Sequence, residues 1–97
     1  MDWVDAISKA IQYIEEYITE ELTADRVSEN INISSFYFQK GFAMFCGFTI
    51  VEYIRNRRLA LAGNNLATGE EKIIDIAMKY GYDSPGSFTR HLQGFMV

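Results

Sequence analysis

Two stretches of this chain, SSFYFQK at 34–40 and SPGSFTR at 84–90, gather hydroxyls, an amide and cations at spacings that place them along one side of a helix. In the first, Ser35, Phe36, Gln39 and Lys40 fall off the apolar seam, with Tyr37 flanking. In the second, Gly86, Ser87, Thr89 and Arg90 do so, with Gln93 a turn further on. Side chains of these types read base edges in a DNA major groove. A Gln amide matches the donor–acceptor pair of adenine, and an Arg fork matches the two acceptors of guanine. A hydroxyl meets a base or a phosphate, and an apolar ring edge meets a thymine methyl. On that chemistry Gln39 suits adenine, Arg90 guanine, Ser87 and Thr89 bases or phosphates, and Phe36 a thymine methyl. Arg55, Arg57 and Arg58 lie outside both stretches and supply cations for phosphates, Arg58 with its stem laid against the core.

The flanking sequence supplies elements that would position these residues. Ser34 caps a helix with Phe38, Phe42 and Phe45 as its buried seam and Gly47 as its stop. Before it, Thr23 caps a short helix, Ala24 to Ile31, with Asp25 in its first turn, Val27 and Ile31 pointing inward, and Asn32-Ile33 as the turn. A short helix, a tight turn and a second helix with an apolar seam form a helix-turn-helix. The pattern returns downstream. Lys72 to Tyr80 is a short helix with Ile73, Ile76, Ala77 and Tyr80 apolar, ended by Gly81. Ser84 then caps a helix with Pro85 in its first position and Phe88, Leu92 and Phe95 as the seam. A shift of 50 overlays Asp25 on Asp75, Val27 on Ala77, Ser34 on Ser84, Phe38 on Phe88, Lys40 on Arg90, Phe42 on Leu92 and Phe45 on Phe95. Such a duplication is much rarer than a single helix-turn-helix.

Between the two copies, Thr49 to Ala67 reads as one long helix opened by a Thr49/Glu52 capping box and stopped by Thr68-Gly69. Ile50, Ile54, Leu61 and Leu66 share its apolar face, and Gly63-Asn64-Asn65 are its weak point. Roughly 19 residues give a rod of about 28 Å. Two recognition helices must stand about 34 Å apart to enter successive major grooves, which a rod of that length plus the thickness of the units would allow. Ahead of the first copy, Asp2 to Glu21 carries Trp3, Ile7, Ile11, Ile14 and Ile18 at helical spacing, with acids opposite. The expected fold is all-α: an N-terminal helix plus first helix-turn-helix over 1–48, a connecting helix over 49–68, and a second helix-turn-helix over 69–97.

Composition narrows the function. With 48% apolar and 14% aromatic residues the chain has enough for a core. Its single Cys rules out an internal disulfide framework and a Cys-rich zinc site. No leader pattern opens the chain and no apolar run approaches 18 residues, so a cytoplasmic protein with no membrane partner is expected. The net charge of −4 argues globally against a polyanionic partner, but the distribution is uneven. Residues 1–35 hold Lys9 and Arg26 against eight acids, and residues 36–97 hold seven cations against five acids, which leaves the second part at +2. No catalytic, metal or cofactor site is expected. His91 has no Cys or Ser partner at a recognisable spacing, and Cys46, just before the Gly47 stop, reads as a buried inert thiol.

These residues together resemble the DNA-binding domain of AraC/XylS-type bacterial transcription regulators. The signature runs through Phe38, Phe42, Gly47, Tyr53, Ile54, Arg57, Leu59, Ala62, Leu66, Ile73, Ile76, Ala77, Gly81, Tyr82, Phe88, Arg90 and Phe95, and covers roughly Asp5 onward. The resemblance implies two helix-turn-helix subdomains on one connecting helix, sequence-specific binding of promoter DNA in adjacent major grooves, and RNA polymerase as a further partner. It also implies either a small single-domain activator or a regulator with an effector domain C-terminal to this stretch. Three departures stand out. Gly41 lies inside the first recognition helix, at an expected cost of about 0.5–1 kcal/mol. Ala43, Met44 and Gln93 stand where the family usually has lysines, so fewer phosphates are neutralised. The family pattern continues past Phe95, so a trimmed fragment, self-associating through an unshielded end, is expected. The competing reading is a degenerate helix-turn-helix that acts in protein–protein interaction or oligomerisation, motivated by the acidic first helix and the missing lysines.

Overall fold

The computed structural model describes residues 2–96. Its secondary structure among those residues is entirely helical: α1 (Trp3–Glu16), α2 (Ala24–Asn30), α3 (Ser35–Cys46), α4 (Ile50–Thr68), α5 (Ile73–Lys79) and α6 (Pro85–Met96). The chain divides within α4 into a first unit through Ile54 and a second from Arg55.

In the first unit, α1 starts where the Asp2 carboxylate accepts from the Asp5 backbone N–H at 3.2 Å. It ends at Glu16, five residues before the expected Glu21. Tyr17 leaves helical geometry at φ −110°, and Glu20 N–H turns back to the Tyr17 carbonyl. Ile18 is nonetheless buried, because this turn folds it inward. The buried line of α1 is Ala6, Ala10 and Ile14, while Trp3, Ile7 and Ile11 are half-buried on its flank. Small residues at the centre let α1 approach α2, on which it packs. Thr23 caps α2 by accepting from Arg26 N–H at 3.1 Å, and Val27 is fully buried while Ile31 is half-buried.

The third helix carries Phe38 and Phe42 into the core, but not Phe45, which is 60% exposed. The same correction applies to Phe95 of α6, 40% exposed beyond the buried Phe88 and Leu92. The seam gives the correct direction in both helices but the wrong depth. Each seven-residue supporting helix is about 10 Å long, and a twelve-residue recognition helix, at about 18 Å, outruns it by its last turn. Phe45 instead stacks on Trp3 at 5.6 Å, and Trp3 also lies 6.0 Å from Phe38 and 5.4 Å from Tyr37. The indole covers Gly41. A Cβ built there would lie 1.9 Å from Trp3 Cη2, so the glycine is what lets Trp3 sit on α3.

Both bonds of the α4 capping box form: Thr49 N–H donates to Glu52 at 2.9 Å, and Glu52 N–H donates to Thr49 Oγ1 at 3.0 Å. Ile50 and Ile54 are buried in the first unit, where the Tyr53 hydroxyl donates to Glu15 at 3.0 Å. Further along, Leu59 and Ala62 are buried, and Leu61 and Leu66, expected on that face, are packed beside them only in part. The helix runs unbroken through Gly63-Asn64-Asn65 to Thr68. The Asn65 side chain, within reach of Glu71, Lys79 and the Tyr80 hydroxyl, anchors that end.

The second unit's core joins Leu59 and Ala62 to Ile76, Ala77, Tyr80, Phe88 and Leu92. Ile73, expected to be inward, is exposed. Ser84 accepts from Ser87 N–H at 3.2 Å and caps α6. The two helix-turn-helices correspond by two offsets rather than one. Both first helices end in the same cap, with a residue in left-handed geometry: Asn32 at φ 58° and Gly81 at φ 86°. Ile33 N–H reaches the Ser28 carbonyl at 3.1 Å, and Tyr82 N–H reaches the Ala77 carbonyl at 2.9 Å. Up to this cap the shift is 49, so Val27 corresponds to Ile76 and Ser28 to Ala77, not Val27 to Ala77 or Asp25 to Asp75. From Ser34 and Ser84 onward the shift is 50. One extra residue, Asp83, lengthens the second turn.

Candidate nucleic-acid interface

In the first unit, the Ser34 hydroxyl lies 3.5 Å from Tyr37 N–H at the start of α3. On the outer face, Phe36 is 73% exposed, and Lys40 Nζ lies 5.2 Å from its ring centroid. That cation–π contact, worth about 0.5–1 kcal/mol at an exposed site, holds an ammonium and an apolar ring side by side. Gln39 is exposed, and its amide nitrogen donates to the half-buried Ser35 hydroxyl at 2.9 Å. Ser35 in turn donates to the Asp25 carboxylate at 2.5 Å. Phe36, Gln39 and Lys40 thus share one solvent-facing surface, with Ser35 behind Gln39. Tyr37 is turned aside toward Trp3.

In the second unit, Gly86 is exposed in the first turn of α6, and a Cβ there would meet nothing nearer than 4.0 Å. Internal packing does not demand that glycine, and its bareness leaves room for close approach from outside. Ser87 and Thr89 are half-buried. The Thr89 hydroxyl donates to the Pro85 carbonyl at 2.7 Å, so it keeps acceptor capacity but not its hydrogen for an external group. Arg90 is exposed and lines a cleft of about 310 Å3 with Arg55, Asn56, Leu59, His91, Gly94 and Phe95. The structure therefore brings Arg55 and Arg90, read separately from the sequence, to one concavity.

Asn56 and His91 are cleft residues that sequence reasoning missed. His91 Nδ1 lies 2.7 Å from the Ser87 carbonyl, an acceptor only, so Nδ1 carries a hydrogen and donates it there. Its ring packs 5.3 Å from Tyr82. The only signal was position, one residue after Arg90 and four after Ser87. Arg58 is half-buried, and burial lowers its pKa from the usual guanidinium value. Burial raises the Tyr82 hydroxyl, opposed by the Arg58 and Arg55 charges. The half-buried Arg58 guanidinium thus lies close enough to the Tyr82 hydroxyl for its charge to be felt there.

Charge is divided unevenly between the units. Through Ile54 there are three cations against nine acids, a net of −6, and from Arg55 there are six cations against four acids, a net of +2.

Residues 27–96 match the family described as a helix-turn-helix domain. The chain is 42% identical over 84 residues to the regulatory protein SoxS of Salmonella typhimurium, covering 87% of this chain and 78% of that protein. It is 32% identical over 90 residues to the transcriptional activator AarP of Providencia stuartii, covering 93% of this chain and 67% of AarP. Among solved structures, an AraC-type regulator from Chromobacterium violaceum superposes with a TM-score of 0.89 at 20% identity, over 96% of this chain and 83% of that one. The C-terminal domain of AraT, a response regulator from Geobacillus stearothermophilus, does so with a TM-score of 0.83 at 26% identity, over 94% and 76%. With its duplicated helix-turn-helix, this chain belongs to the AraC/XylS-type family of DNA-binding transcription regulators.

Proposed function

We propose that this chain binds double-stranded promoter DNA sequence-specifically, with α3 and α6 in adjacent major grooves. The observation that carries the reading is the pair of solvent-facing surfaces on the second helix of each motif. Phe36, Gln39 and Lys40 form the first, and Arg90, backed by Arg55 across one cleft, forms the second. Gln39 and Phe36 suit an adenine and a thymine methyl, Arg90 suits a guanine, and Ser87, Thr89 and Arg55 suit phosphates or base edges. Ser35 and Tyr37 support the first surface, and Gly86 admits the backbone of the DNA to the second. The uneven charge assigns most of the phosphate attraction to the second unit. RNA polymerase is the second partner in this reading, supported by one relative, AarP, named as an activator, and the cytoplasm is the compartment.

Selection from a random duplex library, followed by titration of the winning site, tests this. An Arg90→Ala variant is expected to lose about 1–3 kcal/mol and to relax selection at a single base pair. Failure of the unaltered chain to bind any duplex at about 50 mM salt would overturn the reading.

A further inference from the structure

We propose that Asp25 is a specificity-determining positioning residue: through Ser35 it fixes which way the Gln39 amide faces, and so sets the adenine preference of the first recognition helix. The inference rests on the DNA-binding reading above and deepens it. An ionised carboxylate only accepts hydrogen bonds. The Ser35 hydroxyl, 2.5 Å from Asp25 Oδ1, must therefore donate its one hydrogen there. What it presents to Gln39 is then lone pairs, and the Gln39 side chain must meet them with its NH2, at 2.9 Å. An amide turned over would set its oxygen against an oxygen whose hydrogen is already committed. The polarity of the relay therefore runs one way, from Gln39 to Ser35 to Asp25.

That fixed polarity leaves Oε1 and the second N–H of Gln39 for an outside partner. Together they form the acceptor–donor pair that fits adenine N6 and N7 in the major groove. With the amide turned over, the order of donor and acceptor along the groove reverses and the same adenine is no longer matched. The relay also accounts for an acidic residue beside a DNA-reading helix, where its charge otherwise repels phosphates. Nothing equivalent exists in the second unit. The positions that correspond to Asp25, Ser35 and Gln39 are Ile74, Pro85 and Thr89, so the device belongs to the first motif alone.

The test is competition binding on the selected duplex and its single-base variants. It uses the unaltered chain, Asp25→Asn, Ser35→Ala, Gln39→Ala and the Asp25→Asn/Gln39→Ala double variant. The unaltered chain is expected to discriminate against replacement of one adenine by about 5- to 150-fold. In Asp25→Asn, whose amide accepts or donates equally well, that ratio should collapse to within about twofold, while discrimination at the guanine read by Arg90 stays. Loss of one negative charge raises affinity for every duplex alike and leaves the ratio unaltered, so the ratio separates positioning from charge. Ser35→Ala cuts the relay from its other end and should give the same collapse. In the Gln39→Ala background Asp25→Asn should change nothing at that base pair. An unchanged adenine ratio in folded Asp25→Asn or Ser35→Ala would refute the relay. Absence of any duplex binding by the unaltered chain would instead remove the function on which the inference rests.

Discussion

Gly41→Ala should destabilise the protein, although it replaces a glycine in the interior of a helix. On helix propensity alone the change is favourable by about 1 kcal/mol. Against it stands Trp3, with three ring atoms at 1.9–2.4 Å from the position of the new Cβ. The indole must leave that place, and its stacking on Phe38 and Phe45 goes with it. Truncating a fully buried large aromatic costs about 3–5 kcal/mol, so expelling a half-buried one costs about 2 kcal/mol or more. The net effect is a loss of about 1–2 kcal/mol, or a fall in Tm of roughly 4–10 °C for a chain of this size. Far-UV circular dichroism during urea unfolding would measure it. Because Trp3 is the single tryptophan, its emission should also shift to the red as the ring enters water. The decisive comparison is the same change in a Trp3→Ala background, where nothing opposes the propensity gain and Gly41→Ala should stabilise by about 1 kcal/mol. An equal loss in both backgrounds, or a gain in the unaltered chain, would refute the steric account.

Removing the caps should rank by the quality of their bonds. Ser84→Ala, with a bond of 3.2 Å, should cost more than Ser34→Ala at 3.5 Å, both inside about 0.5–2 kcal/mol by urea unfolding. Phe42→Ala should cost about 3–5 kcal/mol and Phe95→Ala under about 1 kcal/mol, because the first ring is fully buried and the second overhangs its support. Arg55→Ala should weaken binding to all duplexes alike and reduce the salt slope by about one. Burial pushes the Cys46 thiol up from its ordinary value, so alkylation of the folded chain at neutral pH should be slower than that of a free thiol. Its rate should keep rising past the pH at which a free thiol levels off.

What could be read from the sequence was what local chemistry decides. Thr23, Ser34 and Ser84 cap helices because a hydroxyl beside an orphan N–H needs no distant partner. Thr49 and Glu52 find each other across a single turn for the same reason. Phe36, Gln39, Lys40 and Arg90 were legible as outward-facing, since helical period gives direction. Depth was not legible: Phe45 and Phe95 have the phase of Phe38 and Phe88 but extend past the short helices below. The helix cost of Gly41 was legible, but what outweighs it was not, because Trp3 comes from another helix. Asn56 and His91 in the cleft, and Asp25 behind Gln39, became visible only when separate elements met. The extra residue in the second turn was hidden by chance similarity, since Asp75 and Ala77 are acceptable matches to Asp25 and Val27 at the wrong shift.

Asp83 has a practical consequence for anyone building chimaeras of the two motifs. A helix rotates by about 100° per residue, so a graft joined on the wrong side of the added residue would turn the recognition face from the groove by more than a quarter of a circle. A junction at Ser34 and Ser84 avoids this, because each serine opens its helix at the same place and everything after it is in register. The left-handed residues Asn32 and Gly81 mark the other safe junction, with everything before them also in register. Between those two markers lies the short stretch where the motifs are not interchangeable, because the second is longer there by one residue.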